Sequence, residues 1–202
     1  SYSPMSNSTF GNLFGTEDVV NPDTEESYLY EAHNHFIPKT LTTVEVTNAT
    51  SLPAYAFAGL ESLTSLNVTY TTADRIRVYA ADTNYYNYDV PQITAVGAYA
   101  FAGLKNIENF PIPEKATAID EAAFAATGLT DASLAAILMD AKTIGAGAFS
   151  SLEKVENVSI PQNVLSVDRY AFSRNANLKS FLAGAKTALS SGILAECRSL
   201  ET

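Results

Sequence analysis

Apolar residues recur along the chain in two patterns that keep one period. The first reads L-x-x-L-x-L: Leu41/Val44/Val46, Leu63/Leu66/Val68, Tyr85/Tyr88/Val90, Ile107/Phe110/Ile112, Leu129/Ala132/Leu134, Val155/Val158/Ile160 and Leu178/Phe181/Ala183. Successive starts lie 22, 22, 22, 22, 26 and 23 residues apart. The second is the dipeptide Ala-Phe, ending at Phe57, Phe101, Phe124, Phe149 and Phe172, with gaps of 44, 23, 25 and 23. The long gap is twice 22, and Val78-Tyr79 stands at its middle as a substitute; Ile193-Leu194 continues the series another 22 residues on. Two markers in one phase define a repeat of seven units.

Each unit predicts its own local structure. The closing x-L-x-L alternation places Val44 with Val46, or Val158 with Ile160, on one face of a short strand. Proline directly after it, at Pro91, Pro113 and Pro161, ends the strand because it has no amide to donate. Another apolar residue stands five before each aromatic: Leu52, Val96, Ile119, Ile144, Val167 and Leu189. It predicts a shorter strand on the opposite wall, followed by a helical turn at Ala-Phe. No coil buries its own phenylalanine, so each relies on its neighbours, and stacking makes one continuous core. The expected fold is mainly β: a right-handed parallel solenoid with short helical turns, about seven coils of 22–26 residues.

Segments such as SIPQNVLSVDRYAFSRNANLKSF and PIPEKATAIDEAAFAATGLTDASL resemble the BspA-like leucine-rich repeats, whose unit reads about I-P-x-x-V-x-x-I-G-x-x-A-F-x-x-C-x-x-L. The resemblance covers residues 41–202, and the N-terminal NLFG…FIPKTLTTVEV looks like a stretch preceding the repeats in some members. It implies a secreted or cell-surface protein, bacterial or protist, with an adhesive role. The chain departs from the motif at the cysteine slot, here Leu60, Asp82, Leu104, Thr127, Leu152, Asn175 and only finally Cys197. Asp74 occupies an apolar slot, so Thr71–Asp82 is expected to bulge. The four surplus residues of the fifth unit, around Ala135–Lys142, are expected to form a loop or helical turn.

Residues 1–40 are read as an N-terminal cap, with a degenerate half-repeat over 28–40 around Phe36, and 41–202 as the solenoid. A stacked array needs atypical end coils that shield core and strand edge. Leu200 falls 22 residues after Leu178 and opens another strand slot. The expectation is that the protein continues there or that this coil associates end to end with a partner. The start, Ser1-Tyr2-Ser3-Pro4, shows no basic-then-apolar leader, as in a mature product or an excised segment.

Composition narrows the function classes. The 202 residues are 47% hydrophobic and 17% charged, which excludes a disordered chain and suffices for one large core or one elongated array. A net charge of −10 argues against nucleic acid or an anionic membrane as partner. No apolar run approaches the roughly 18–20 residues of a membrane-spanning helix, so no insertion is expected. One cysteine excludes a disulfide framework and a cysteine-based zinc site.

Candidates for catalysis or metal binding are poor. His33 and His35 stand beside Glu31, but a metal needs further ligands and the chain has no other histidine. No G-x-S-x-G elbow accompanies the serines, no D-x-D-x-D-G loop accompanies Asp18, Asp23, Glu25 and Glu26, and no phosphate loop is present. The expectation is no enzyme, no cofactor and no metal. Tyr85 and Tyr88 match core slots, leaving Tyr86 outward, and the N-x-S/T sequons at Asn7, Asn48, Asn67 and Asn157 do not exceed chance for this composition.

What remains is the face of the sheet. Its outward positions stack into two rows, Thr43, Ser65, Asn87, Asn109, Asp131, Asn157, Ser180 and Glu45, Asn67, Asp89, Pro111, Ser133, Ser159, Leu182. Asn87, Asp89, Asn109, Asp131 and Asn157 are the candidate binding surface for an extracellular protein or glycan. The equal alternative is that these small polar residues simply hydrogen-bond one another along the sheet. Without aromatic or arginine anchors, contacts there have few hot spots, and affinity would come from multivalent display. A structural spacer, or an accessory carbohydrate-binding array, is the competing role.

Overall fold

The computed structural model describes residues 40–71 and 92–201 throughout, and elsewhere the backbone of 16–17, 34–35, 75–79 and 85–89. Phe57, Phe101, Phe124, Phe149 and Phe172 form a single column. Successive ring centroids are 5.8, 5.3, 5.4 and 5.3 Å apart, with interplanar angles of 8°, 26°, 8° and 19°. The last four rings are fully buried. Each of these four is covered by the coils above and below it, which contributes about 1.5–3 kcal/mol per ring.

The turn that carries each ring has a fixed backbone signature. Residues two before and two after the phenylalanine have positive φ: Tyr55 and Gly59, Tyr99 and Gly103, Ala122 and Ala126, Gly147 and Ser151, Tyr170 and Arg174. Gly192 and Glu196 repeat it around Leu194. For a non-glycine residue this conformation costs roughly 1–2 kcal/mol. The offset is a ladder between coils. Tyr55, Phe57 and Gly59 donate their amides to the carbonyls of Ala98, Ala100 and Ala102 at 2.7–2.8 Å. The same donors recur at the next joint, from Tyr99, Phe101 and Gly103 to Glu121, Ala123 and Ala125. Alanine before the ring is buried at every coil from Ala56 to Ala171, where a larger side chain would separate the layers.

Among the described residues the elements run in order: β1 (Thr16–Glu17), β2 (Asn34–His35), β3 (Thr43–Ala49), β4 (Ser65–Tyr70), β5 (Arg75–Tyr79), β6 (Tyr85–Asp89), β7 (Ala95–Val96), β8 (Ala118–Ile119), α1 (Asp131–Asp140), β9 (Thr143–Ile144), β10 (Asn157–Ser159), β11 (Ser166–Val167), β12 (Ser180–Leu182) and β13 (Ala188–Leu189). The expected minor wall is present as a five-stranded parallel sheet in the order β13-β11-β9-β8-β7. Its inward residues Val96, Ile119, Ile144 and Val167 are buried, whereas Leu189 in the final strand is 47% exposed. Gly97 holds this wall tight, since a Cβ there would sit 2.6 Å from the Pro53 carbonyl carbon.

The major wall departs from the expectation in three places. First, the described residues form about six coils, not seven. The turn of Phe57 hydrogen-bonds directly to that of Phe101, and the Tyr70 hydroxyl donates to the Pro111 carbonyl at 2.8 Å. The stretch between them holds an antiparallel pair, β5 with β6, in which Val78 opposes Tyr86 and Tyr79 opposes Tyr85. Val78-Tyr79 is therefore strand and not a substitute for the Ala-Phe turn, and the doubled gap is an insertion. Asp74 and Asp82 lie outside the described residues.

Second, Leu129/Ala132/Leu134 is not a strand. Thr130 caps α1, accepting the Ser133 amide while Ser133 Oγ accepts the Thr130 amide, and Leu134 and Leu138 of the helix are buried. The surplus residues are indeed helical, but the helix consumes the strand as well. Third, Ile107–Ile112 pairs with nothing as a strand. Pro111 stands in its centre without an amide. Among the described residues of this wall, parallel strand pairing is seen at β3-β4 and β10-β12, with an isolated parallel bridge between Thr130 and Lys154.

The cysteine slot shows how the core tolerates variety. Leu60, Leu104 and Leu152 fill it with hydrocarbon. Thr127 donates to the Phe124 carbonyl at 2.9 Å, and Cys197 Sγ to that of Phe172 at 3.1 Å. Asn175, fully buried, accepts the Leu152 amide at 2.7 Å and donates to the Phe149 carbonyl at 3.1 Å. The polar residues described in this slot each close a backbone group. At the N-terminus β1 pairs antiparallel with β2, which includes His35; Phe36, His33 and most of the expected 28–40 half-repeat lie outside the described residues.

Two outcomes follow in urea denaturation. Phe124→Ala should lower the unfolding free energy by about 3–5 kcal/mol, because neighbouring rings cannot close the gap. Replacing 72–91 by a short Gly-Ser linker should leave a single cooperative unfolding transition, since the turns of Phe57 and Phe101 hydrogen-bond directly to each other.

Candidate functional site

The five candidate residues do not form one row. Asn87 and Asp89 lie in β6, opposite Arg77 and Arg75 of the insertion. Asn109 is exposed on the unpaired segment, Asp131 is the first residue of α1, and Asn157 begins β10. Among the described side chains Asp131 and Asn157 come together, joined by Ser180. Asn157 Nδ2 donates to Asp131 Oδ2 at 2.9 Å, and Ser180 Oγ to Asn157 Oδ1 at 2.8 Å. Here the small polar residues do hydrogen-bond one another.

Asp131 has a structural task that explains this. At regular joints the amides seven and eight residues after the aromatic donate to a carbonyl of the preceding coil. Thr64 and Ser65 use Thr42, and Lys179 and Ser180 use Glu156. Where α1 has replaced the preceding strand, Asp131 Oδ1 takes that carbonyl's place and accepts from Glu156 at 2.8 Å and Asn157 at 3.1 Å. Partial burial raises its carboxyl pKa, but the hydrogen bonds from the Asn157 side chain and the two amides outweigh it and hold the pKa below the usual range. The first turn of a helix favours the negative charge too.

Two ion pairs flank it: Lys154 with Glu108 at 2.7 Å, spanning the helical coil, and Lys179 with Glu156 at 2.6 Å. Both are about half exposed and contribute little, roughly 0–1 kcal/mol each. Asn163 ends α1 by donating to the Met139 and Ala141 carbonyls at 2.9 and 2.8 Å.

The helix creates a feature that spacing did not anticipate. A groove of about 320 Å³ separates it from the unpaired segment, lined by Asn109, Phe110 and Ile112 on one side and Ser133, Ile137 and Asp140 on the other. Glu114 adds a second carboxylate, and no lysine or arginine lines it. The signal for it was present in the four-residue surplus and the Thr130-x-x-Ser133 box, a helix start signature. No cluster of three metal-ligating side chains occurs among the described residues. Nor, among them, is any helix long and apolar enough to cross a membrane.

Comparison with known proteins adds the lineage. The model for the BspA type leucine rich repeat region matches residues 32–137 and 75–201, with six copies. The chain belongs to that family. Six copies agree with six BspA-type coils. No curated protein matches the sequence. A solved leucine rich cell surface protein from Faecalibacterium prausnitzii A2-165 is similar at 18% identity and a TM-score of 0.43, covering 80% of this chain and 38% of that one. The chain thus spans well under half the length of that protein.

Asp131→Ala should destabilise the chain by about 0.5–1.5 kcal/mol at pH 7, since two exposed strand amides exchange a carboxylate for water. Because the folded pKa is depressed, this contribution is complete above the unfolded value near 3.9 and vanishes as pH falls through the folded one. The gap between wild type and variant in urea melts should therefore close in strong acid. Asp120, whose carboxyl is pushed up by burial, acts with the opposite sign in both proteins and cancels in the difference.

Proposed function

We propose that this chain is a non-enzymatic recognition module of a secreted or cell-surface protein, adhesive in character, which binds an extracellular protein or glycan. The observation that carries the reading is the BspA-type array itself. Six coils are held by a shared phenylalanine column, and polar residues are displayed along a long wall. Such a scaffold offers extended area and little depth, which suits contact with macromolecules better than turnover of a small substrate. Surface location is what the family resemblance implies.

A second reading, a spacer projecting other domains, is favoured by one observation. The Asp131–Asn157–Ser180 chain is consumed by internal hydrogen bonds and leaves few free groups for a ligand.

An array of matrix proteins and glycans separates the two. Binding to at least one component, weakened tenfold or more when Asn87, Asn109 and Asn157 are all replaced by alanine, is expected for recognition at this wall. No binding to any component would favour the spacer, and hydrolysis of a component would overturn the non-enzymatic reading.

A further inference from the structure

The helical coil interrupts the wall, and the strands on its two sides are treated unequally. On the C-terminal side Asp131 accepts the first two amides of the β10 edge, those of Glu156 and Asn157. On the N-terminal side no such substitute occurs among the described residues. The groups that should face the missing strand are identified by the regular coils. Seven residues after the aromatic, the Glu156 carbonyl accepts two amides from the next coil. Eleven residues after it, the Ile160 amide donates to the next coil's Leu182 carbonyl at 2.7 Å. The corresponding groups after Phe101 are the Glu108 carbonyl and the Ile112 amide. Neither has a hydrogen-bond partner among the described residues.

Ile112 lines the groove beside α1 together with the apolar side chains of Phe110 and Ile137, and the groove's carboxylates are Glu114 and Asp140. An open edge of alternating acceptors and donors is a template for an added strand. Apolar floor and acidic lining specify what that strand carries, alternate apolar and cationic side chains. A net charge of −10 adds long-range attraction for such a segment.

We propose that the groove between Glu108–Ile112 and α1 captures an extended, cationic segment of a partner protein, which adds a strand where the fourth coil lacks one. This rests on the reading of the chain as a recognition module and gives that module a site and a class of ligand. The site is separate from the Asp131–Asn157–Ser180 chain.

The test titrates the full chain with a fluorescein-labelled ten-residue peptide of alternating lysine and valine. Two controls are the glutamate–valine counterpart and the lysine–valine peptide N-methylated at every second amide. The expected result is binding of the parent peptide at least tenfold tighter than either control, weakening as salt rises. Ala136→Trp, at an exposed helix position lining the groove, should weaken it tenfold or more. Glu114→Lys with Asp140→Lys should shift preference to the glutamate–valine peptide. Equal binding of the N-methylated peptide would overturn the proposal, because charge alone would then suffice. So would parent binding unchanged by both sets of substitutions, or no parent binding at millimolar peptide. Array binding that persists while the peptide fails would sink the groove and leave the recognition module standing; the reverse would restrict the module to this groove.

Discussion

The structure depends on phenylalanine rings that no coil buries alone. A ring between two others loses its water only if both neighbours are present, so the stability of each layer belongs to its joints. This fixes much else. The spacing of 5.3–5.8 Å between rings sets how far apart the turns sit. At that distance amides at the ring and two residues to either side reach carbonyls of the next coil, and the backbone adopts positive φ twice per turn to aim them. Packing at the column thus forces an unfavourable backbone conformation, and the ladder it makes available offsets the cost.

That dependence explains which features were legible in the sequence. The column, the alanine beside each ring and the minor-wall residues Val96, Ile119, Ile144 and Val167 all follow from a period, because a stacked core admits only residues repeating in phase. Coil number did not follow, because a 44-residue gap fits two coils or one coil with an insertion, and periodicity cannot distinguish them. The hydrogen bonds from Tyr55, Phe57 and Gly59 decide for the insertion. Tyr85 and Tyr88 imitated a strand slot because they do lie in a strand, but in one paired antiparallel within the insertion.

The major wall was less legible for a different reason. Leu129, Ala132 and Leu134 satisfy the strand pattern at offsets of three and five, but Leu134 and Leu138 also satisfy a helical spacing. Length and capping arbitrate: ten residues, a Thr130–Ser133 box and no proline favour the helix. The polar row read from sequence was therefore cut at its centre. Asp131 kept its neighbour Asn157 but changed its role, from an outward strand residue to the acceptor that a missing carbonyl would have supplied.

A helix within a β wall has two boundaries, and the chain treats them unequally. The edge of β10 receives a carboxylate whose depressed pKa keeps it ionised and accepting. The edge at Glu108–Ile112 receives none, and Pro111 removes an amide within the segment, so pairing with β4 is lost as well. A repeat protein ordinarily hides strand edges by continuing or capping the stack. Here an internal edge is left beside a groove with an apolar floor and carboxylates that solvent and cations can reach. The side chain that repairs one boundary of the helical coil makes the other the place where the wall still has hydrogen bonds to give.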